Sequence, residues 1–172
     1  MPEPSVVLDL GGTRLLVTAD RQPWIDRMRR AFGPLVADGE SDGDADFRLS
    51  ILEAVSPAPV AGVELTWQGR LTDGNSGRVH ETETSAVLIV DDGGFLSIDH
   101  AARTAEARFA PGAYAKFFGT AAMMTVEAAL ASAGQEVVHA ASLIDRRTGL
   151  AYLFGAPSGV GKTTTSLALA RG

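Results

Sequence analysis

Apolar positions in the first part of this chain recur mostly at every second residue, the period of a half-buried β-strand. Residues 6–10 and 14–18 are β-rich runs, and Gly11-Gly12 between them predicts a hairpin. The spacing then becomes helical through Trp24, Ile25, Met28, Phe32 and Leu35, ending near Gly33-Pro34. Asp20 can cap this helix, and Pro23 falls in its first turn, where a missing N–H does no harm. From residue 46 to 109 the signal is almost all strand. Phe47, Leu49 and Ile51 alternate with Arg48, Ser50 and Leu52; Val63, Leu65 and Trp67 alternate with Glu64, Thr66 and Gln68. Turn sequences occupy 73–77 and 91–94, and the wholly apolar run 86–90 predicts a strand covered on both faces. Residues 95–98 and 103–109 complete a meander. Pro111-Gly112 opens a helix running to about Ala133, with Gly134 as its stop. It is so nearly apolar all round that it should be buried. A strand over 136–144, a turn over 145–149 and a returning strand over 150–154 follow.

Composition narrows the classes of function. The 172 residues are 45% hydrophobic and 21% charged, as in a soluble globular domain long enough to bury a core. A formal charge of −6 gives no electrostatic footprint for nucleic acid. Arg27, Arg29 and Arg30 read as the solvated face of their helix. The absence of cysteine removes disulfides, thiolate metal sites and cysteine nucleophiles, and suits a reducing compartment. The opening MPEPSVVLDL has no basic region before an apolar core, so no signal peptide is expected. The longest apolar stretch, 119–134, contains Glu127 and is too short to span a bilayer. A cytoplasmic protein with neither nucleic acid nor membrane as partner is expected.

Several acids and histidines have bland readings. Asp38, Glu40, Asp42 and Asp44 lie among glycines without the twelfth-position glutamate of a calcium loop, and read as a solvated loop. Asp91 and Asp92 before Gly93-Gly94 read as a turn, and His80 and His100 as structural or surface residues.

The chemistry concentrates in GAPSGVGKTTT, residues 155–165. The strict motif is A-x-x-x-x-G-K-T: Ala156, Pro157, Ser158, Gly159, Val160, Gly161, Lys162 and Thr163, with Thr164 opening the following segment. An apolar strand precedes it, and a helix is expected over 163–170. That is the order of a phosphate-binding P-loop. Backbone N–H groups of such a loop cradle a phosphate, which leaves little room for side chains at Gly159 and Gly161. The helix start adds positive potential. Lys162 reaches the β- and γ-phosphates, and the Thr163 hydroxyl holds Mg²⁺. The bare pattern arises by chance in about one in a hundred chains of this length. Lysine is also scarce: only Lys116 and Lys162 occur, against thirteen arginines. The competing reading is a glycine-rich turn at a strand-to-helix junction.

Most P-loop proteins place the motif early, before several βαβ units. Here it comes last, after an antiparallel meander, which argues against GTPase, ABC ATPase and recombinase-type architectures. Residues 138–172, VHAASLIDRRTGLAYLFGAPSGVGKTTTSLALARG, resemble the P-loop region of the HPr kinase/phosphorylase family and its HPr-kinase-like relatives. The matching features are His139 on a strand, the 145–149 turn, Ser158 to Lys162, the 163–170 helix and Arg171-Gly172. HPr kinases proper follow the lysine with Ser-Glu, where this chain has Thr163-Thr164, and residues 1–110 do not resemble their separate N-terminal domain.

The resemblance implies an α+β class: a mixed, largely antiparallel sheet with a P-loop, like that of phosphoenolpyruvate carboxykinases and HPr kinases. It implies ATP and Mg²⁺ as cofactors, a serine of a protein or peptide as phosphoryl acceptor, and His139 as a residue beside the active site. The alternative for His139 is a core histidine satisfied by backbone. One domain over 1–172 is expected: a β-rich meander with one helix over 1–110, then a buried helix, hairpin and P-loop over 111–172. The family's general base and metal-binding aspartates would follow Gly172, so the domain is expected to be incomplete at its C-terminus and inactive as a kinase by itself. Asp145, in a turn, is a weak substitute. The rival from another class is a nucleotide-binding or regulatory module without catalysis. A small-molecule kinase and a homo-oligomer are left open.

Overall fold

The computed structural model describes residues 3–37, 44–54, 56–71, 74–91, 94–110, 116–138 and 140–155. The chain divides into two compact units, Met1–Gln135 and Glu136–Gly172.

In the first unit, β1 (Ser5–Asp9) and β2 (Arg14–Ala19) form the expected hairpin. Gly11 and Gly12 take positive φ, 82° and 101°, which a residue with a Cβ resists. Their N–H groups both donate to Asp9 Oδ1, at 3.0 and 2.8 Å. Helix α1 (Gln22–Ala31) then carries the chain to β3 (Phe47–Glu53), which lies parallel to β2. The chain crosses next to the far edge of the sheet. From there β4 (Glu64–Arg70), β5 (Ser76–Glu81), β6 (Ser85–Val90), β7 (Phe95–Asp99) and β8 (Thr104–Phe109) return as an antiparallel meander, until β8 docks parallel to β3. The sheet has eight strands in the order β1-β2-β3-β8-β7-β6-β5-β4. Helix α2 (Lys116–Ser132) follows, and Gly134, with φ 72°, stops it.

Cross-strand register shows how alternation makes a core. Val6, Val17, Leu49, Ala105 and Ile98 form one row of one face; Ala19, Ile51, Ala107, Leu96, Leu88, Val79 and Trp67 form the next. Small alanines on β8 sit between large aliphatic side chains, Ala105 between Leu49 and Ile98 and Ala107 between Ile51 and Leu96. Trp24 of α1 stacks on Phe109 at 4.7 Å between centroids and on Phe118 of α2 at 5.7 Å. Both helices therefore close the same face. On the other face, Arg108 Nη1 donates to Ser56 Oγ at 3.1 Å, and His80 Nδ1 contacts the Val63 carbonyl at 3.3 Å. These bonds hold the β3–β4 crossing against the sheet. Val87 and Leu88 are both buried, so β6 is covered on its two faces as its apolar run requires.

The second unit contains the hairpin of β9 (Ala140–Ile144) and β10 (Ala151–Gly155), a two-stranded sheet of its own. Among the described residues, no helix is long and apolar enough to cross a membrane.

Several expectations need correction, the fold class first. Among the described residues the structure is mostly one large eight-stranded mixed sheet with two helices, not a P-loop fold of the phosphoenolpyruvate carboxykinase and HPr kinase kind. All eight strands come from residues 5–109, and among the described residues β10, which leads to the motif, pairs with β9 alone. The physical reason is closure: the described core runs from Val6 to Ala129 and is filled by the sheet, α1 and α2. The sheet also holds two parallel pairings, β2 with β3 across the β2–α1–β3 connection and β8 with β3 where the meander docks.

Smaller corrections follow the same logic. Asp20 does not cap α1; its Oδ2 accepts the Glu53 N–H at 2.8 Å, across the parallel pair. Helix α1 ends at Ala31, and Gly33–Leu35 forms a short 3-10 turn with Leu35 exposed. Arg27 stacks over the Phe118 ring at 4.6 Å and is a packing residue, whereas Arg29, which donates to the Ser5 carbonyl at 3.4 Å, and Arg30 are exposed. Helix α2 is not buried all round: Gly119, Met123, Glu127 and Ala131 form an exposed stripe at four-residue spacing. Strand β9 begins at Ala140, not at residue 136.

Candidate functional site

The hairpin of the second unit positions the motif's entry. Its register runs from Ile144 opposite Ala151 to Ala140 opposite Gly155. At ~3.4 Å per residue, roughly 14 Å separate its turn from its open end.

Asp145 organises the turn. Its Oδ1 accepts the Arg147 N–H at 2.8 Å, its Oδ2 accepts the Thr148 hydroxyl at 2.9 Å, and its own N–H donates to the Leu150 carbonyl at 2.9 Å. Gly149, with φ 72°, completes it, its N–H donating to the Asp145 carbonyl at 2.8 Å. The Arg147 N–H, then the Thr148 hydroxyl, hold the Asp145 carboxyl below its ordinary range. Both oxygens serve the turn, at the end of the hairpin away from the motif. Asp145 is a turn residue and no substitute for a metal-binding acid beside Gly155.

Strand β10 finishes on Gly155, and the motif starts at the next residue. Ala140 lies directly across from Gly155, and His139 is the residue before Ala140. His139 and the cradle residues Ala156, Pro157, Ser158, Gly159, Val160, Gly161, Lys162, Thr163 and Thr164 all lie outside the described residues. The residue types are still ones that suit a polyphosphate and Mg²⁺: backbone N–H groups at every position of 156–164 but Pro157, two glycines, one ammonium and three hydroxyls.

Other polar candidates have structural roles. His100 follows β7 in a turn, and its N–H donates to the Thr84 carbonyl at 2.9 Å. The Asp91 N–H donates to the Ser76 carbonyl at 3.2 Å at the end of β6. Asp44 is exposed, while Asp38, Glu40, Asp42 and Asp92 lie outside the described residues. Among the described residues, no group of three or more His, Cys, Asp or Glu side chains could hold a metal. One pair went unsignalled in the sequence. Arg108 Nε donates to Glu106 Oε1 at 2.6 Å while its Nη1 reaches Ser56, 52 positions earlier. Nothing local in sequence marks such a contact.

The chain matches no family model, no curated protein and no solved structure. The likeness to HPr-kinase-like proteins rests on residues 138–172 themselves.

Proposed function

We propose that the chain binds ATP with Mg²⁺ through residues 156–164, and that its chemistry is transfer of the γ-phosphoryl to a serine of a protein or peptide. The observation that supports this most is the junction at Gly155: a paired strand ends there, and A-x-x-x-x-G-K-T begins at the next residue. In this reading Gly159 and Gly161 leave the loop's N–H groups open to phosphate. Ala156, Pro157, Ser158 and Val160 complete the loop, and Thr164 continues into the next segment. Lys162 neutralises the β- and γ-phosphates, and the Thr163 hydroxyl is a Mg²⁺ ligand. Bound ATP would supply the group to be transferred. His139 precedes the strand end facing Gly155, where an imidazole can orient a nucleophile or hold a proton. A chain without cysteine that uses ATP belongs in the cytoplasm.

A second reading, nucleotide binding without transfer, draws on Asp145. The one acid the hairpin offers stands at its far end, with both oxygens engaged in the turn. Thermal denaturation tests the binding common to both readings. ATP·Mg²⁺ at about 100 times its Kd should stabilise the chain by about 2.7 kcal/mol, and Lys162→Ala should remove that shift. An unchanged shift in the variant would contradict the site. Incubation with γ-labelled ATP and serine peptides separates the readings: label on serine supports transfer, and binding without label supports the regulatory module.

A further inference from the structure

The two edges of the eight-stranded sheet are finished differently. The β1 edge is partly closed by its own chain, since Val36 bridges to Leu8 and the Ala37 N–H donates to the Val7 carbonyl at 3.0 Å. The other edge is β4, whose one neighbour among the described strands is β5. Every residue of β4 except Gly69 is exposed. It contains neither lysine nor proline, the usual guards of an open edge. A bulge between Leu65 and Trp67 divides its two large apolar side chains between the faces. Leu65 shares a row with His80, and Trp67 shares one with Val79. They are 47% and 40% exposed, so each face carries one uncovered apolar group at this edge. Thr66, at the bulge, donates its hydroxyl to Glu81 Oε2 of the neighbouring strand at 2.9 Å. The indole of Trp67 lies over Gly69, where a Cβ would come within 2.6 Å of a ring carbon.

The charges on this strand choose a partner. Glu64 opens β4 and Arg70 closes it, with Leu-Thr-Trp-Gln-Gly between. Laid antiparallel against a second β4, the acidic end of each strand meets the basic end of the other. Laid parallel, like ends would meet. A two-fold axis through the strand makes the contact twice and closes the assembly at two copies. We propose that β4 is a self-pairing edge, through which two copies of this chain join their sheets antiparallel. A ladder of seven residues falls below the ~1,200 Å² of a standard interface, so the dimer is weak and forms with rising concentration.

Sedimentation of the full chain over roughly 10–500 µM tests this, a range that brackets weak association. The weight-average mass should rise from 17.9 kDa towards twice that value. Glu64→Arg should weaken association roughly tenfold, because the two-fold axis repeats the like-charge contact. Arg70→Glu should do the same. The combined Glu64→Arg/Arg70→Glu variant should restore association, which excludes misfolding as the cause of the single-variant losses. A chain that stays monomeric throughout, a dimer indifferent to the single changes, or a double swap that fails to restore it would each overturn the proposal.

Discussion

Asp145 shows how much of a site a single carboxylate can decide. Its two oxygens accept from the Arg147 N–H and the Thr148 hydroxyl, and these bonds favour the charged form. A folded-state value below the unfolded ~3.9 means the turn's stabilisation is present above that pH and is lost as pH falls through the folded value. Carbon-detected NMR titration should therefore find the Asp145 midpoint below about 3.9, and Thr148→Ala should move it upward. An ordinary midpoint unaffected by Thr148→Ala would contradict the turn geometry. Asp20 teaches the complementary lesson. Its place before a helical run suits a cap, yet its carboxylate goes to Glu53, 33 positions on. Local sequence ranks the polar partners an acid can have, but the parallel pairing of β2 with β3 decides among them.

At the scale of elements, legibility followed locality. The β1–β2 hairpin could be read from Gly11-Gly12, because a turn needing positive φ carries its requirement in the residues that form it. The stop of α2 at Gly134 was legible for the same reason. Gly134 has φ 72° and no atom near its missing Cβ, so Gly134→Ala brings backbone strain without a clash. Its cost should be about 1 kcal/mol, measured by urea unfolding; a neutral substitution would show that the cap does not hold the helix end. What could not be read was order in space. The parallel docking of β8 on β3 joins segments some fifty residues apart, with alternation identical to that of an antiparallel pair. The exposed stripe of α2 was also hidden, since Gly119, Met123 and Ala131 are apolar or small and give no polar face to see.

For the whole molecule, a local motif was extended into a fold that it does not determine. The P-loop pattern specifies a strand, a loop and a helix start, and Gly155 at the end of β10 supplies the first of these. It carries no instruction for the other strands. Those come from residues 5–109, whose alternating rows, with the Trp24–Phe109–Phe118 stack that α2 completes, close a core within the first unit. A phosphate site and a large mixed sheet can share a chain without sharing a sheet. The candidate site can be proposed from sequence because its chemistry is compact there: nine consecutive residues, 156–164, directly after the last residue of β10.

The central claim is that ATP·Mg²⁺ binds at that junction and nowhere on the eight-stranded sheet. Hydrogen exchange of the full chain with and without ATP·Mg²⁺ tests it most directly, because it reports where backbone amides are covered. Protection should rise in peptides spanning residues 155–165, with peptides from 5–109 unchanged, and should vanish in Lys162→Ala. Protection centred on the eight-stranded sheet, or surviving in Lys162→Ala, would contradict the account.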